Sequence, residues 1–199
     1  KEGPFPRTIL FIAFAGEERG LLGSGYYTAN PLVPLEQTAA MVNLDMVGRL
    51  VDDKLIIHGT GTGGNFDELV DRLVSNAGFS VAKEPGGPSD HSSFYARKIP
   101  VLHVFKGSHT DYHRPTDTAD KVNYAGMARI SALIASLVRD LATAGEPPEY
   151  IEVAGKPFMG GGGDRPYFGS IPDFAKPGGG YAITGVSKTS PAAKGGLEG

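Results

Sequence analysis

The chain has 199 residues, 40% of them hydrophobic and 21% charged, with no cysteine, a net charge of −3 and a pI near 6.0. That length holds one full α/β domain and part of a second, and the composition is that of a folded chain. The weakly acidic balance offers no field for nucleic acid or anionic lipid, no segment approaches the ~20 apolar residues of a membrane span, and any metal must be held by histidine and carboxylate.

Residues 1–7 run without a methionine or signal-like segment into Thr8–Ala15 (TILFIAFA), a near-continuous apolar run that predicts a strand buried on both faces of a largely parallel sheet. The chain therefore reads as a fragment, with any targeting signal upstream. Gly20–Asn30 predicts a short helix closed by Pro31, Ala39–Met46 a second strand and Lys54–His58 a third. In Asn65–Ala77 the residues Phe66, Leu69, Val70, Leu73, Val74 and Ala77 share one helical face, and Gly78 ends the helix. Strands are expected at Phe79–Lys83 and Pro100–Phe105, with a helix from Asp90 to Ala96 between them. A long helix from Asn123 to Ala144 carries Met127, Ile130, Ile134, Leu137 and Leu141 at spacings of three and four.

The expected fold is thus α/β, a layered sandwich with a mixed, mostly parallel sheet flanked by helices, over residues 1–144. Residues 145–163 have linker composition, with Glu146-Pro147-Pro148 and the run Gly160–Gly163. Residues 164–199 begin a second, mainly-β module: strands at Tyr167–Ile171 and Tyr181–Val186, then a helix start at Ser190–Leu197 with Ser190 as its cap before Pro191.

Candidate chemistry sits at strand ends. Glu17 and Glu18 follow the first strand in a Gly-Glu-Glu-Arg-Gly turn, where one carboxylate can bind metal while the other handles protons, or both can form a solvated acidic loop. Asp45 is a charge among apolar residues at the end of a strand, where a buried carboxylate needs a pairing cation. His113 lies in a polar loop after the strand ending at Phe105. Joined, Glu18, Asp45 and His113 are two oxygen donors and one nitrogen donor, a set that suits zinc.

On these residues the chain resembles a known family. The segments GEERGLLGS, NLDMVGR, SDHSSF and DYHRPTDTADKV together look like the bacterial di-zinc aminopeptidases of metallopeptidase clan MH, over about residues 7–144. The resemblance implies a pair of zinc ions, with Glu18 holding one and Asp45 the other, and His113 sharing the site with Glu18. It implies Glu17 as general base to a metal-bound hydroxide, and Tyr112 as a hydrogen-bond donor to the developing oxyanion. It further implies hydrolysis of N-terminal residues from peptide substrates in a secreted or periplasmic setting. Such sites also need a histidine and a bridging aspartate, expected upstream of Lys1, and no histidine precedes His58. This chain alone is expected to be inactive. Asp90 and His91 match a recurrent segment of the family without a ligand role, Asp90 as a helix cap. His58, His103 and His109 have no motif support and read as structural or surface residues. The tail resembles the PDZ domains appended to bacterial proteases, with Phe168-Gly169-Ser170-Ile171 as the loop that would hold a peptide's C-terminal carboxylate.

Other readings compete. Gly59, Gly61 and Gly64 form GxGxxG between a strand and a helix, but Asp67 and Glu68 in the first helical turn oppose a pyrophosphate there. Gly23-Ser24-Gly25 lacks the spacing of a nucleophile elbow. A non-catalytic peptide-binding scaffold on a degenerate peptidase fold is the alternative of a different class.

Overall fold

The computed structural model describes residues 5–84, 89–107, 109–153, 168–172, 183–186 and 189–198. Four strands form one sheet: β1 (Met41–Asp45), β2 (Lys54–His58), β3 (Ser80–Glu84) and β4 (Val101–Phe105), in the order β1-β4-β2-β3. β1 runs parallel to β4 and β2 parallel to β3, while β2 and β4 meet antiparallel, so two parallel pairs join into a mixed sheet.

Central β4 is buried on both faces, and its alternation divides the molecule. Leu102 and Val104 enter the main core with Leu55 and Ile57 of β2, under the apolar stripes of α2 (Phe66–Ala77) and α4 (Tyr124–Thr143). Phe66, Leu69, Val70, Leu73 and Val74 of α2 are buried there, as the 3.6-residue period requires, and Gly78 closes the helix in the left-handed region. Asn123 caps α4, its side-chain oxygen accepting from the Gly126 amide at 2.8 Å. On the other face Val101 packs with Phe94 and Tyr95 of α3 (His91–Tyr95), beside α1 (Leu22–Ala29).

The first predicted strand is not formed. Thr8–Ala15 is in no ladder, and Leu10, Phe11 and Ile12 are exposed, Phe11 to 93%. A strand is a property of a pair: the run has the apolar content of a doubly buried strand, but among the described residues no strand hydrogen-bonds to it, and β1 is paired with β4 alone. Asp90 is likewise no cap; its backbone is already helical and its side chain makes no capping hydrogen bond.

Two glycines of this stretch, Gly59 of the motif and Gly63 between its positions, have packing explanations. Gly59 sits so close to β4 that a methyl group there would collide with the Val101 carbonyl, and a side chain at Gly63 would meet the Phe66 ring. Residues 149–153, within the segment of linker composition, lie against the α/β unit: the Ile151 amide donates to the Thr62 carbonyl at 2.8 Å and the Val153 amide to the Tyr95 hydroxyl at 2.9 Å. Beyond them the described residues form the antiparallel pair β5 (Ser170–Pro172) and β6 (Ile183–Val186), then α5 (Pro191–Lys194), with Ser190 Oγ accepting from the Ala193 amide. Tyr167, Tyr181, the run Gly160–Gly163 and residues 178–180 lie outside the described residues. No helix is long and apolar enough to cross a membrane among the described residues.

Candidate active site

Three chain segments meet at one end of β1 and β4. Glu17–Arg19 form a single 3₁₀ turn between Gly16 and Gly20, both left-handed, a conformation that glycine reaches without steric cost and that turns the two carboxylates away from the preceding segment. β1 ends on Asp45; Met46 then takes a left-handed backbone (φ 53°), and the chain folds at once into the 3₁₀ turn Val47–Arg49. After β4 the loop doubles back in successive turns, with the Tyr112 amide donating to the His109 carbonyl and the Arg114 amide to the Asp111 carbonyl. His113 itself has φ 55°, a backbone that costs an L-residue roughly 1–2 kcal/mol, so its placement is held against a local preference.

The geometry brings Glu18 and His113 into contact, His113 Nε2 lying 2.6 Å from Glu18 Oε1 across 95 residues of sequence. The Tyr112 ring stacks on the His113 imidazole with centroids 3.8 Å apart. Asp45 receives a hydrogen bond on Oδ2 from Ser89 Oγ at 3.1 Å, and Ser89 Oγ accepts from Asn43 Nδ2 at 2.8 Å. The Asn43 amide thus commits the serine's proton to Asp45. Asn43 is two residues from Asp45 on the strand, hence on the same face, a signal in the sequence that could have found it.

The electrostatics tie Glu17 to the group. Burial, then the charges of Glu18, Asp45 and Asp90, push its carboxyl up from 4.5 to about 7, with His113 opposing. Asp90 is raised by its own burial and by Asp45, against a lowering hydrogen bond from Ser24. Tyr112 is raised by burial and by Glu18, Glu17 and Asp45. Glu17, Glu18, Asp45, Tyr112 and His113 are therefore near enough to one another to interact electrostatically, with Asp90 a neighbour of Glu17 and Asp45.

For zinc, the donor types are apt, but among the described residues no three histidine or carboxylate side chains converge on a common point. Glu18 and His113 are the pair in direct contact, at hydrogen-bond distance. His58, His91 and His103 are buried rings. His103 stacks on His91 with centroids at 4.3 Å, and its Nδ1 lies 3.1 Å from His58 Nδ1.

Residues 1–138 match Peptidase family M28, and the chain belongs to that family. Aminopeptidase YwaD of Bacillus subtilis (strain 168) is 28% identical over 163 residues, which are 76% of this chain and 36% of YwaD. The LapA aminopeptidase of Legionella pneumophila has a similar structure, with a TM-score of 0.61 at 26% identity over 73% of this chain and 42% of LapA. BSAP, a zinc aminopeptidase from Bacillus subtilis, shares the fold at a TM-score of 0.57 and 24% identity, over 71% of this chain and 38% of BSAP. The chain thus spans about two fifths of the length of these relatives.

Proposed function

We propose that this chain is part of a zinc-dependent aminopeptidase, carrying the proton-handling half of its site and some of its metal ligands. The observation that supports this best is the 2.6 Å contact between Glu18 and His113, which closes two of the four motif segments on each other beside Asp45 and Glu17. Family membership and relatives that are aminopeptidases point to peptide substrates and removal of N-terminal residues.

Glu18 and His113 would hold one zinc ion and Asp45 a second, with the remaining histidine and bridging aspartate supplied by sequence outside this chain. When bound, such ions polarise the scissile carbonyl and acidify water. Glu17, half-buried and with a carboxyl pushed up to about 7, is suited to take the proton of the attacking water and pass it to the leaving amine. Tyr112 keeps its hydroxyl proton, since burial and three carboxylates raise its pKa, and so can donate to the oxygen that gains charge. Asn43 and Ser89 fix the rotamer of Asp45.

The tail supports a separate, peptide-binding proposal. Gly169, buried with φ 88°, turns the chain between Phe168 and β5, and the Ala192 amide of α5 donates to the Phe168 carbonyl at 2.9 Å. A PDZ-like module would add a peptide strand at such an edge.

The test is cleavage of amino-acid anilides by a form with the full ligand set, zinc stripped and restored, beside Glu17→Gln. Zinc-dependent turnover that falls by about 10²–10⁴ in the variant upholds the reading. Zinc binding without turnover of any anilide or peptide replaces it with the scaffold alternative. This chain alone is expected to turn over none of these substrates.

A further inference from the structure

The loop that carries Tyr112 and His113 has almost nothing apolar to hold it. Residues 112–121 are all exposed, and regular structure is confined to the short turn Ala119–Lys121. Ordering such a segment costs backbone entropy, and here no burial of side chains offsets it. His113 moreover sits in the left-handed region.

What fixes the loop is ionic, and it comes from the turn that follows the Asp45 strand. Arg49 Nη2 donates to Asp111 Oδ2 at 2.9 Å and Nη1 to Asp117 Oδ1 at 2.6 Å. The two carboxylates stand two residues before and four residues after His113, so one guanidinium straddles it. The Arg49 and Asp111 side chains are 19% and 14% exposed, which shelters that arm from solvent. Lys121 tightens the same loop by donating to Asp111 Oδ1 at 2.8 Å and to the Thr116 carbonyl at 2.7 Å. Asp117 also faces His109 at 3.7 Å. At the loop's far end the Asn123 amide donates to the Gly48 carbonyl at 2.8 Å, beside Arg49.

We infer that Arg49 is a positioning residue: its forked guanidinium locks the His113 loop to the turn after Asp45, so that the nitrogen donor and the two carboxylates keep one spacing. This rests on the zinc reading for its purpose, but not for its geometry. A planar five-donor fork can bridge two carboxylates at once, whereas an ammonium acts as a point charge, so lysine cannot fully replace it.

The experiment uses the whole chain as wild type, Arg49→Lys, Arg49→Ala and Asp111→Asn/Asp117→Asn. Two readouts are taken: amide hydrogen exchange, and zinc affinity by competition with a chelating dye. In Arg49→Ala the amides of residues 109–118 should lose protection while those of α4 and β4 keep theirs, and zinc affinity should fall about 10–100-fold. The double asparagine variant should match it, and Arg49→Lys should recover part of both. Unchanged exchange over residues 109–118 in Arg49→Ala, with zinc affinity within twofold of wild type, overturns the proposal. If wild type itself binds no zinc, as the two ligands outside this chain allow, the zinc reading is left to the anilide test and exchange alone decides: protection lost upholds the Arg49 lock, protection kept refutes it.

Discussion

The two faces of the sheet are built for different ends. Towards α2 and α4 the buried side chains are apolar throughout: Leu55, Ile57, Phe66, Leu102, Val104, Ile130 and their neighbours. Towards α1 and α3 the apolar cluster is small, and buried polar side chains crowd beside it: Ser24, Asn43, Ser89, Asp90, His91, Ser92 and His103. β4 serves both, with Leu102 and Val104 on one side and Val101 and His103 on the other. The dry face carries stability through burial, which tolerates similar apolar residues; the polar face carries orientation, where each group needs a named partner. On the polar face, Asn43, Ser89 and Asp90 are the neighbours of Asp45.

Removing bulk from the dry face should have the largest effect on stability. Phe66 is fully buried between α2 and the sheet, so Phe66→Ala should lower unfolding free energy by about 3–5 kcal/mol in urea titration. Hydrogen exchange around Asp45 should be unchanged relative to global unfolding. A loss under 1 kcal/mol would show that this face is not the main source of stability.

Acid should attack the other face. Burial and neighbouring His58 push His103 down from 6.5 to about 3. Between those values the unfolded chain binds the proton and the folded chain does not, so stability is complete above about pH 6.5 and declines as pH falls towards 3. By pH 4.5 the loss from this group is roughly 3 kcal/mol. His103→Gln cannot bind that proton, and its urea midpoint should vary less between pH 7 and 4.5. Equal slopes in the two proteins would mean that the buried rings admit a proton without cost.

The hydrogen-bond chain behind Asp45 should matter less, though still measurably. Ser89 is 2% exposed, and Ser89→Ala strands the Asn43 amide and removes a donor from Asp45. A loss of about 1–3 kcal/mol is expected in thermal or urea unfolding. Asn43→Ala/Ser89→Ala should lose less than the sum of the two single changes, because it leaves fewer stranded groups. Strict additivity would show that the contacts are not one chain.

The dry face was far more legible from sequence than the polar one. The stripes of α2 and α4 announce themselves because burial repeats with the helix period, and Lys54–His58 was bounded as it is found. Thr8–Ala15 misled because hydrophobicity reports that a segment can be buried, not which strand pairs with it. Glu17, Glu18, Asp45, Tyr112 and His113 stand in motif segments, and of these the structure puts Glu18 in contact with His113 and stacks Tyr112 on His113. Ser89 and Arg49 lay in such segments too, yet their roles depend on partners 44 to 68 residues away. Asp90 looked like a helix cap because aspartate usually is one there; its buried position beside Asp45 and Ser24 overrides that preference.

Glu17 gives the smallest shift and the sharpest contrast between the faces, because it is a place where stability and chemistry oppose each other. Its carboxyl is raised to about 7, so the fold favours the neutral form, and ionising it as pH rises from about 4.5 through 7 costs stability. That sign is opposite to the one for His103, which allows the two to be separated over the same pH range. In metal-free protein, Glu17→Gln should therefore melt higher than wild type at pH 8, by about 0.5–1 kcal/mol once solvent screening at this half-open site is allowed for, and the two should coincide at pH 4. A cation held by Glu18 and His113 would cancel the repulsion from the neighbouring carboxylates, so saturating zinc should narrow the gap at pH 8. No gap in the metal-free protein would mean that Glu17 does not feel Glu18, Asp45 and Asp90, and the physical basis for its proposed proton-carrying role would be gone.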